Sequence, residues 1–115
     1  MQRTSKEEHL DLMFHALADG TRRDILLRLA KEDLSIKTLA EEYRMTLAAV
    51  SKHVRVLAAA KLLKTTKEGR VHRCQMTPEP LAEMTKVISE YQKFWGDQLD
   101  ALEEFLNETA DGRKK

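Results

Sequence analysis

The stretch MTLAAVSKHVRVLAAAKLLKTTKEGRVHRCQMT, residues 45–77, decides the fold of this chain. Thr46 can cap a helix, because a hydroxyl group just before an apolar repeat satisfies free backbone N–H groups. The apolar residues that follow recur at helical spacing: Leu47, Val50, Val54 and Leu57. Two short runs then meet at Glu68-Gly69, a turn signal: Leu62–Lys67 and Arg70–Met76. The stretch predicts a helix that leads directly into a β-hairpin.

Three more helices are predicted before this stretch and one after it. Apolar spacing indicates a first helix in residues 9–18, and Asp19 and Ser35 can cap a second and a third helix. Asp33–Ile36 reads as a short extended link, and Arg44-Met45 as a tight turn. A last helix starts near Pro78 or Pro80 and runs to about residue 107, with residues 111–115 frayed.

This order of elements predicts a mainly α fold with a small β-hairpin. Two helices joined by a short turn, the second basic and amphipathic, form a helix-turn-helix, and the hairpin makes it a winged helix-turn-helix. We expect one domain over residues 1–115. The helix-turn-helix and wing take about 34–77, and two dimerisation helices, the second one long and C-terminal, take 8–18 and 78–107.

The positive charge of the chain is concentrated in this region. Residues 44–73 hold eight bases and one acid, a net charge of +7, whereas the rest of the chain holds 12 bases and 18 acids. A basic patch on a nearly neutral protein is typical of a surface that binds a polyanion. The alternative is a solvent-exposed surface that is basic but binds no polyanion.

The residue types in this region suit double-stranded DNA. The major groove admits one α-helix, whose leading face must be small or polar. The hairpin tip can reach the DNA backbone or the minor groove. The predicted DNA-binding residues are Thr46, Ala48, Ala49, Ser51, Lys52, His53 and Arg55 on the helix, and Lys67, Arg70 and Arg73 on the hairpin. Two alternatives stay open: the alanines as plain helix formers, and His53 as a structural hydrogen-bonding residue.

The last helix carries an apolar stripe that is too long for its own domain to cover. Leu81, Met84, Ile88 and their successors recur at spacings of three and four to Leu106. The alternative is that the stripe folds back onto the core of its own chain, as we expect of Leu81 and Met84. For the distal half we expect a homodimer, which would present two recognition helices to two half-sites. The predicted interface residues are Leu10, Met13, Phe14, Leu17, Tyr91, Phe94, Trp95, Leu99 and Leu102.

Composition excludes several other classes of protein. With 42% hydrophobic and 34% charged residues, the chain is globular. No apolar run approaches the roughly 20 residues that span a bilayer, and the start lacks the apolar core of a signal peptide. We expect a cytoplasmic protein without a membrane partner. No phosphate loop, activated nucleophile or desolvated carboxylate pair is visible, so no catalytic residue, enzyme activity or cofactor is expected.

Three segments carry a resemblance to a known family: ALADGTRRDILLRL (16–29), SIKTLAEEYRMTLAAVSKHVRVLAAAKLLKTTKEGRVHRCQMTPEPL (35–81) and YQKFWGDQLDALEEFL (91–106). Together they resemble the ArsR-type winged-helix transcriptional regulators over roughly residues 10–107, most specifically in AVSKHVRVLAAAKLL and the basic EGR hairpin. The resemblance implies a dimeric bacterial repressor that binds operator DNA and releases it on a signal. It identifies no effector.

Two departures from the family pattern matter. Gly20 stands where the family's first turn usually has proline, which makes that helix start less rigid. Metal-sensing members carry a Cys-Val-Cys element where this chain has Ser35-Ile36-Lys37, and others use histidines on the last helix, whereas no histidine follows His72. The resemblance therefore implies the branch that does not sense metals, and no metal ligand is expected.

Two alternative functions remain at this point. Winged helices also serve as protein-interaction modules, although such a module does not need the +7 segment. The chain could instead be a thiol-based redox sensor that uses Cys74, its only cysteine. Alternation along the strand places Cys74 on the side of His72 and Met76, away from Arg73, which favours a buried structural cysteine.

Overall fold

The computed structural model describes residues 4–113 and confirms the predicted order of elements. The elements are α1 (Ser5–Leu17), α2 (Gly20–Leu29), β1 (Leu34–Ser35), α3 (Ile36–Tyr43), α4 (Leu47–Ala59), β2 (Leu63–Glu68), β3 (Val71–Met76) and α5 (Glu79–Arg113). The chain divides into two compact units, Met1–Leu81 and Ala82–Lys115, and each is described by itself. The prediction of one domain over 1–115 stays a prediction.

Local side-chain chemistry begins the first four helices. Asp19, Ser35 and Thr46 each accept a hydrogen bond from the backbone N–H three residues later, as expected for helix caps. Helix α1 starts earlier than predicted, because Thr4 and Glu7 form a reciprocal capping box. The Thr4 hydroxyl accepts from the Glu7 N–H at 3.1 Å, and the Glu7 carboxylate accepts from the Thr4 N–H at 3.2 Å.

A three-stranded antiparallel sheet of order β1-β3-β2 completes the first unit. The hairpin strands pair from Leu63 opposite Met76 to Glu68 opposite Val71. Within the extended link predicted at residues 33–36, Leu34–Ser35 form strand β1, which places Leu34 opposite Cys74. The sheet therefore ties the start of α3 to the hairpin.

The core of the first unit lies between its helices and the inner face of this sheet. Its buried side chains are Met13, Ala16, Ile25, Leu26, Leu29, Leu39, Ala40, Val50, Val54, Leu57, Ala60, Leu62, Leu63 and Cys74. The placement of Met13 in a dimer interface was wrong, because its side chain is only 2% exposed. Phe14 is exposed, and Leu10 and Leu17 are half-buried. Those three residues remain candidates for contact with a partner.

A polar cluster joins α2 to α3. The Tyr43 hydroxyl donates to the Asp24 carboxylate, and the Arg28 guanidinium lies 4.8 Å from the centroid of the Tyr43 ring. Arg28 also donates to Asp24 (3.2 Å) and to Glu42. Burial, followed by the hydrogen bond to Asp24, raises the pKa of Tyr43 to about 12. The hydroxyl therefore remains a donor at neutral pH and orients α3 against α2.

Helix α5 is longer than predicted. It continues past residue 107 to Arg113, which gives 35 residues and about 52 Å at 1.5 Å per residue. Lys114 and Lys115 lie outside the described residues, so only part of the predicted frayed end can be compared. The distal stripe of the helix is exposed, between 51% and 62%, at Tyr91, Phe94, Trp95, Leu99, Leu102, Phe105 and Leu106.

Candidate nucleic-acid interface

The turn between α3 and α4 sets the start of the predicted recognition helix. Arg44 adopts a left-handed conformation (φ 56°), which reverses the chain after α3. The N–H of Met45 donates to the carbonyl of Ala40 at 3.0 Å and closes this turn. Thr46 then caps α4, since its hydroxyl accepts from the Ala49 N–H at 3.1 Å. The Thr46 O–H remains available as a donor to a phosphate oxygen.

Helix α4 has one buried face and one exposed face, as its apolar spacing indicates. Val50, Val54 and Leu57 are buried. The opposite face carries Ala48, Lys52 and Arg55, which are all exposed, while Ala49 and Ser51 lie at its flanks. The first three positions are four and three residues apart, so they share one side of the helix. A small residue followed by two cations can enter a groove of DNA closely.

Leu47 shares the apolar spacing of α4 but is not buried. It is 56% exposed, although the three apolar residues that follow it at helical spacing are buried. Leu47 is the first residue of α4, and the core ends one turn further along the helix. Periodicity detects the side of a helix but does not show where along its length the core ends.

The structure supports the structural alternative for His53. The His53 side chain is only 18% exposed, and its Nδ1 accepts a hydrogen bond from the Arg22 guanidinium at 3.4 Å. Arg22 also donates to the α1 carbonyl groups of Ala16 (2.7 Å) and His15 (3.0 Å). His53 thus joins α4 to the α1–α2 corner, and its contact with DNA stays a prediction.

Arg22 makes contacts between helices that its place in the sequence did not predict. Its guanidinium contacts α1 and α4 together, so it positions the predicted recognition helix. Its neighbour Arg23 donates to the carbonyl of Leu17 at 2.7 Å. Both cations therefore satisfy carbonyl groups at the end of α1. The Thr-Arg-Arg run in the sequence shows where this corner lies. It does not show which helices the arginine side chains connect.

The hairpin presents its cations in different directions. Gly69 takes the positive φ of 63° that the tight turn requires, and Arg70 beside it is exposed. Lys67 pairs with His72 across the hairpin, whereas Arg73 pairs with Thr66, so the two cations lie on opposite faces of the sheet. The Nε atom of Arg73 is 3.8 Å from the Glu68 carboxylate, which partly neutralises it.

Cys74 is a buried strand residue. It is 0% exposed and lies opposite Leu34 and Thr65 on the inner face of the sheet. Burial raises the pKa of its thiol to about 11. The thiolate, which is the reactive form, then makes up roughly one part in ten thousand at pH 7. This favours the structural reading of Cys74 over the redox-sensor alternative.

We expect Cys74→Ser to change DNA affinity less than twofold and the native thiol to react slowly with iodoacetamide. The reason is its burial and raised pKa. Mass spectrometry of alkylated protein at pH 7.5, in buffer and in 6 M urea, measures this. Labelling should be at least about a hundredfold slower in buffer. Equal rates would contradict the burial of the thiol, and oxidant-induced DNA release that Cys74→Ser abolishes would establish the redox sensor instead.

Neither a metal site nor a membrane span is visible in the part of the chain that the structure describes. Within residues 4–113, no three His, Cys, Asp or Glu side chains come together so that they could hold a metal ion. Over that range no helix is both long and apolar enough to cross a membrane.

Comparisons with known proteins match this arrangement. A helix-turn-helix domain family matches residues 17–66. The HTH-type transcriptional regulator Rv2034 of Mycobacterium tuberculosis is 33% identical over 101 residues, which cover 88% of this chain and 92% of that protein. The nodulation protein NolR of Rhizobium meliloti is 27% identical over 109 residues, with 90% and 87% covered.

Two solved structures extend the similarity to the fold. The crystal structure of an ArsR family transcriptional regulator superposes with a TM-score of 0.73 at 33% identity, covering 84% of this chain and 97% of that one. An ArsR-like transcriptional regulator from Rhodococcus sp. RHA1 gives a TM-score of 0.71 at 27% identity, covering 89% and 96%. The similarity thus extends over most of this chain.

Proposed function

Because this chain belongs to the ArsR family of winged helix-turn-helix transcriptional regulators, which bind DNA, we propose that it acts as a dimeric repressor of a pseudo-palindromic operator. Each protomer places α4 in the major groove and the hairpin on the neighbouring backbone or minor groove. Occupancy of the operator then blocks transcription until a signal releases the protein.

The exposed face of α4 carries the DNA-binding part of this proposal. Ala48, Lys52 and Arg55 project from a helix whose other side is locked into the core by Val50 and Val54. Residues 44–73 contain one acid, Glu68, so the phosphate backbone meets little repulsion there. We assign Lys52 and Arg55 to phosphates or base edges, and Thr46 and Ser51 to phosphate oxygens.

The second unit supports the dimer. Tyr91, Trp95, Leu99 and Leu102 follow one another at spacings of four, four and three on α5, and each is more than half exposed. The Phe94 and Trp95 rings lie edge to face with centroids 5.5 Å apart, which gives the stripe a large aromatic surface. A second copy with the same stripe can cover these side chains in a two-fold interface.

Selection from a pool of random duplexes tests the proposal directly. A two-fold dimer should enrich inverted half-sites whose centres lie about 10–10.5 base pairs, or a multiple of that, apart. A reporter promoter that carries the selected site should then be repressed by the protein. Enrichment of single half-sites would contradict the dimer, activation of the reporter would contradict repression, and no enrichment would contradict sequence-specific binding.

The hairpin cations should control the salt dependence of binding. We expect Arg70→Ala with Arg73→Ala to reduce the slope of log K against log salt by about 0.9 for each phosphate that the variant no longer neutralises. Because Arg73 already pairs with Glu68, the reduction should be closer to that expected for one phosphate than for two. Fluorescence anisotropy at four salt concentrations measures the slope. Lys6→Ala, which removes an exposed lysine of α1, serves as the control. Equal slopes for all the proteins would show that the hairpin does not contact DNA phosphates.

A further inference from the structure

A cleft of about 530 Å³ lies between the start of α4 and the hairpin. Leu47 of α4 and Val71 of β3 both line it, and both are substantially exposed, at 56% and 45%. Ile36, at the start of α3, also lines the cleft. The exposed apolar residue that opens α4 is therefore one of several apolar side chains that line this cleft.

The same cleft is lined by cations. Lys37, Arg55 and Arg70 contribute to it from α3, α4 and the hairpin turn, and no Asp or Glu is among the described residues that line it. A pocket of 300–1,000 Å³ with apolar walls and a few convergent polar groups is typical of small-molecule sites. Guanidinium groups suit a carboxylate, to which they can donate two parallel hydrogen bonds.

A DNA backbone alone leaves part of this cleft unexplained. Phosphates are charged and hydrated, so they can pair with Arg55 and Arg70. They do not bury the apolar surface of Leu47 and Val71. A molecule that carries one negative charge and an apolar chain or ring matches both parts. Cations and apolar walls together thus favour an amphipathic anion over a purely charged or a purely apolar ligand.

We propose that this cleft binds a small organic carboxylate with an apolar chain or ring, and that the bound molecule excludes DNA. The carboxylate pairs with Arg55 or Arg70, and the apolar part covers Leu47 and Val71. Because Arg55 also lies on the proposed DNA face, one side chain cannot serve both ligands at once. The exclusion of DNA rests on the proposed function, whereas the binding of the carboxylate does not.

Titration of the isotope-labelled full chain with decanoate tests binding without DNA. Backbone amide signals of residues around the cleft should shift and saturate. Acetate supplies the charge without the chain and 1-decanol the chain without the charge, and each should bind at least about tenfold more weakly than decanoate. Equal affinity for decanoate and either control, or shifts that avoid residues 36–72, would overturn the proposal.

Substitutions then locate the site. Leu47→Ala and Val71→Ala should each weaken decanoate binding by about fivefold, because each removes apolar surface from a wall. Leu27→Ala removes an exposed leucine of α2 that does not line the cleft, and its affinity should match the parent. Circular dichroism checks that all three variants remain folded. Equal losses in the three variants, or none in any, would place decanoate elsewhere.

Competition with DNA separates the two proposals. Decanoate at ten times its own Kd should raise the apparent Kd for duplex DNA about elevenfold if the two exclude each other. DNA binding without any decanoate binding would overturn the inference and leave the regulator function intact. If the protein binds decanoate but no duplex DNA, the carboxylate site in the cleft would be supported and the proposed DNA-binding function would be rejected. Simultaneous binding of both would overturn the exclusion.

Discussion

Trp95→Asp should convert the proposed dimer into monomers and weaken binding to a two-half-site operator by at least about a hundredfold. A carboxylate inside an apolar interface loses its water without gaining a partner, which costs several kcal/mol for each protomer. The dimer gains affinity by binding its second half-site at high effective concentration, and a monomer loses that gain. Sedimentation equilibrium and anisotropy with one and two half-sites measure both effects.

Ser89→Asp is the matched control for this change. Ser89 is also exposed on α5, but it lies about 120° around the helix from Trp95, so the same new charge should leave the dimer intact. Trp95 is the only tryptophan of the chain, so the fluorescence of the parent protein reports on the environment of this one side chain. Its emission should shift to shorter wavelength as concentration rises and the ring becomes covered. A Trp95→Asp protein that sediments as a dimer would place the interface elsewhere.

Lys52→Ala with Arg55→Ala should weaken operator binding by about ten- to a thousandfold and leave the fold unchanged. Both side chains are exposed on the face of α4 opposite Val50 and Val54. A base-reading arginine is worth about 1–3 kcal/mol and its removal relaxes sequence preference, whereas removal of a cation that binds phosphate weakens all sequences alike. Binding to the selected operator and to one scrambled duplex distinguishes the two roles.

Lys31→Ala provides the comparison for the α4 variants. It removes an exposed lysine that follows α2 and lies outside the basic segment, so it should lower affinity much less than the α4 changes. Thermal unfolding of each variant confirms that the core is intact. If the double variant binds operator as the parent does, α4 is not the recognition helix.

Much of the first unit could be predicted because its signals are local. Asp19, Ser35 and Thr46 act within three residues of themselves, so cap chemistry alone located the starts of three helices. The hairpin turn was equally visible, since Gly69 supplies a positive φ between two runs that can pair. Cys74 followed from strand alternation, which placed it on the inner face.

Contacts between distant segments could not be predicted in the same way. The pairing of Leu34 with Cys74, and the Arg22 hydrogen bond that orients His53, depend on where the chain folds back. Met13 shows the same limit, because its helical spacing did not reveal that it lies in the core and not at the surface. Leu47 likewise shares the spacing of the buried residues of α4 but is exposed. Spacing predicts which side of a helix is apolar, not what covers it.

The residues that bracket α4 set a limit on protein engineering. Arg44 before the helix and Lys61 after it both hold positive φ, 56° and 60°, where a side chain costs about 1 kcal/mol relative to glycine. Glycine at either position should therefore relax the backbone. Each such change would also delete a cation from the basic segment. A variant stabilised in this way would unfold at a higher temperature but would attract a polyanion less strongly.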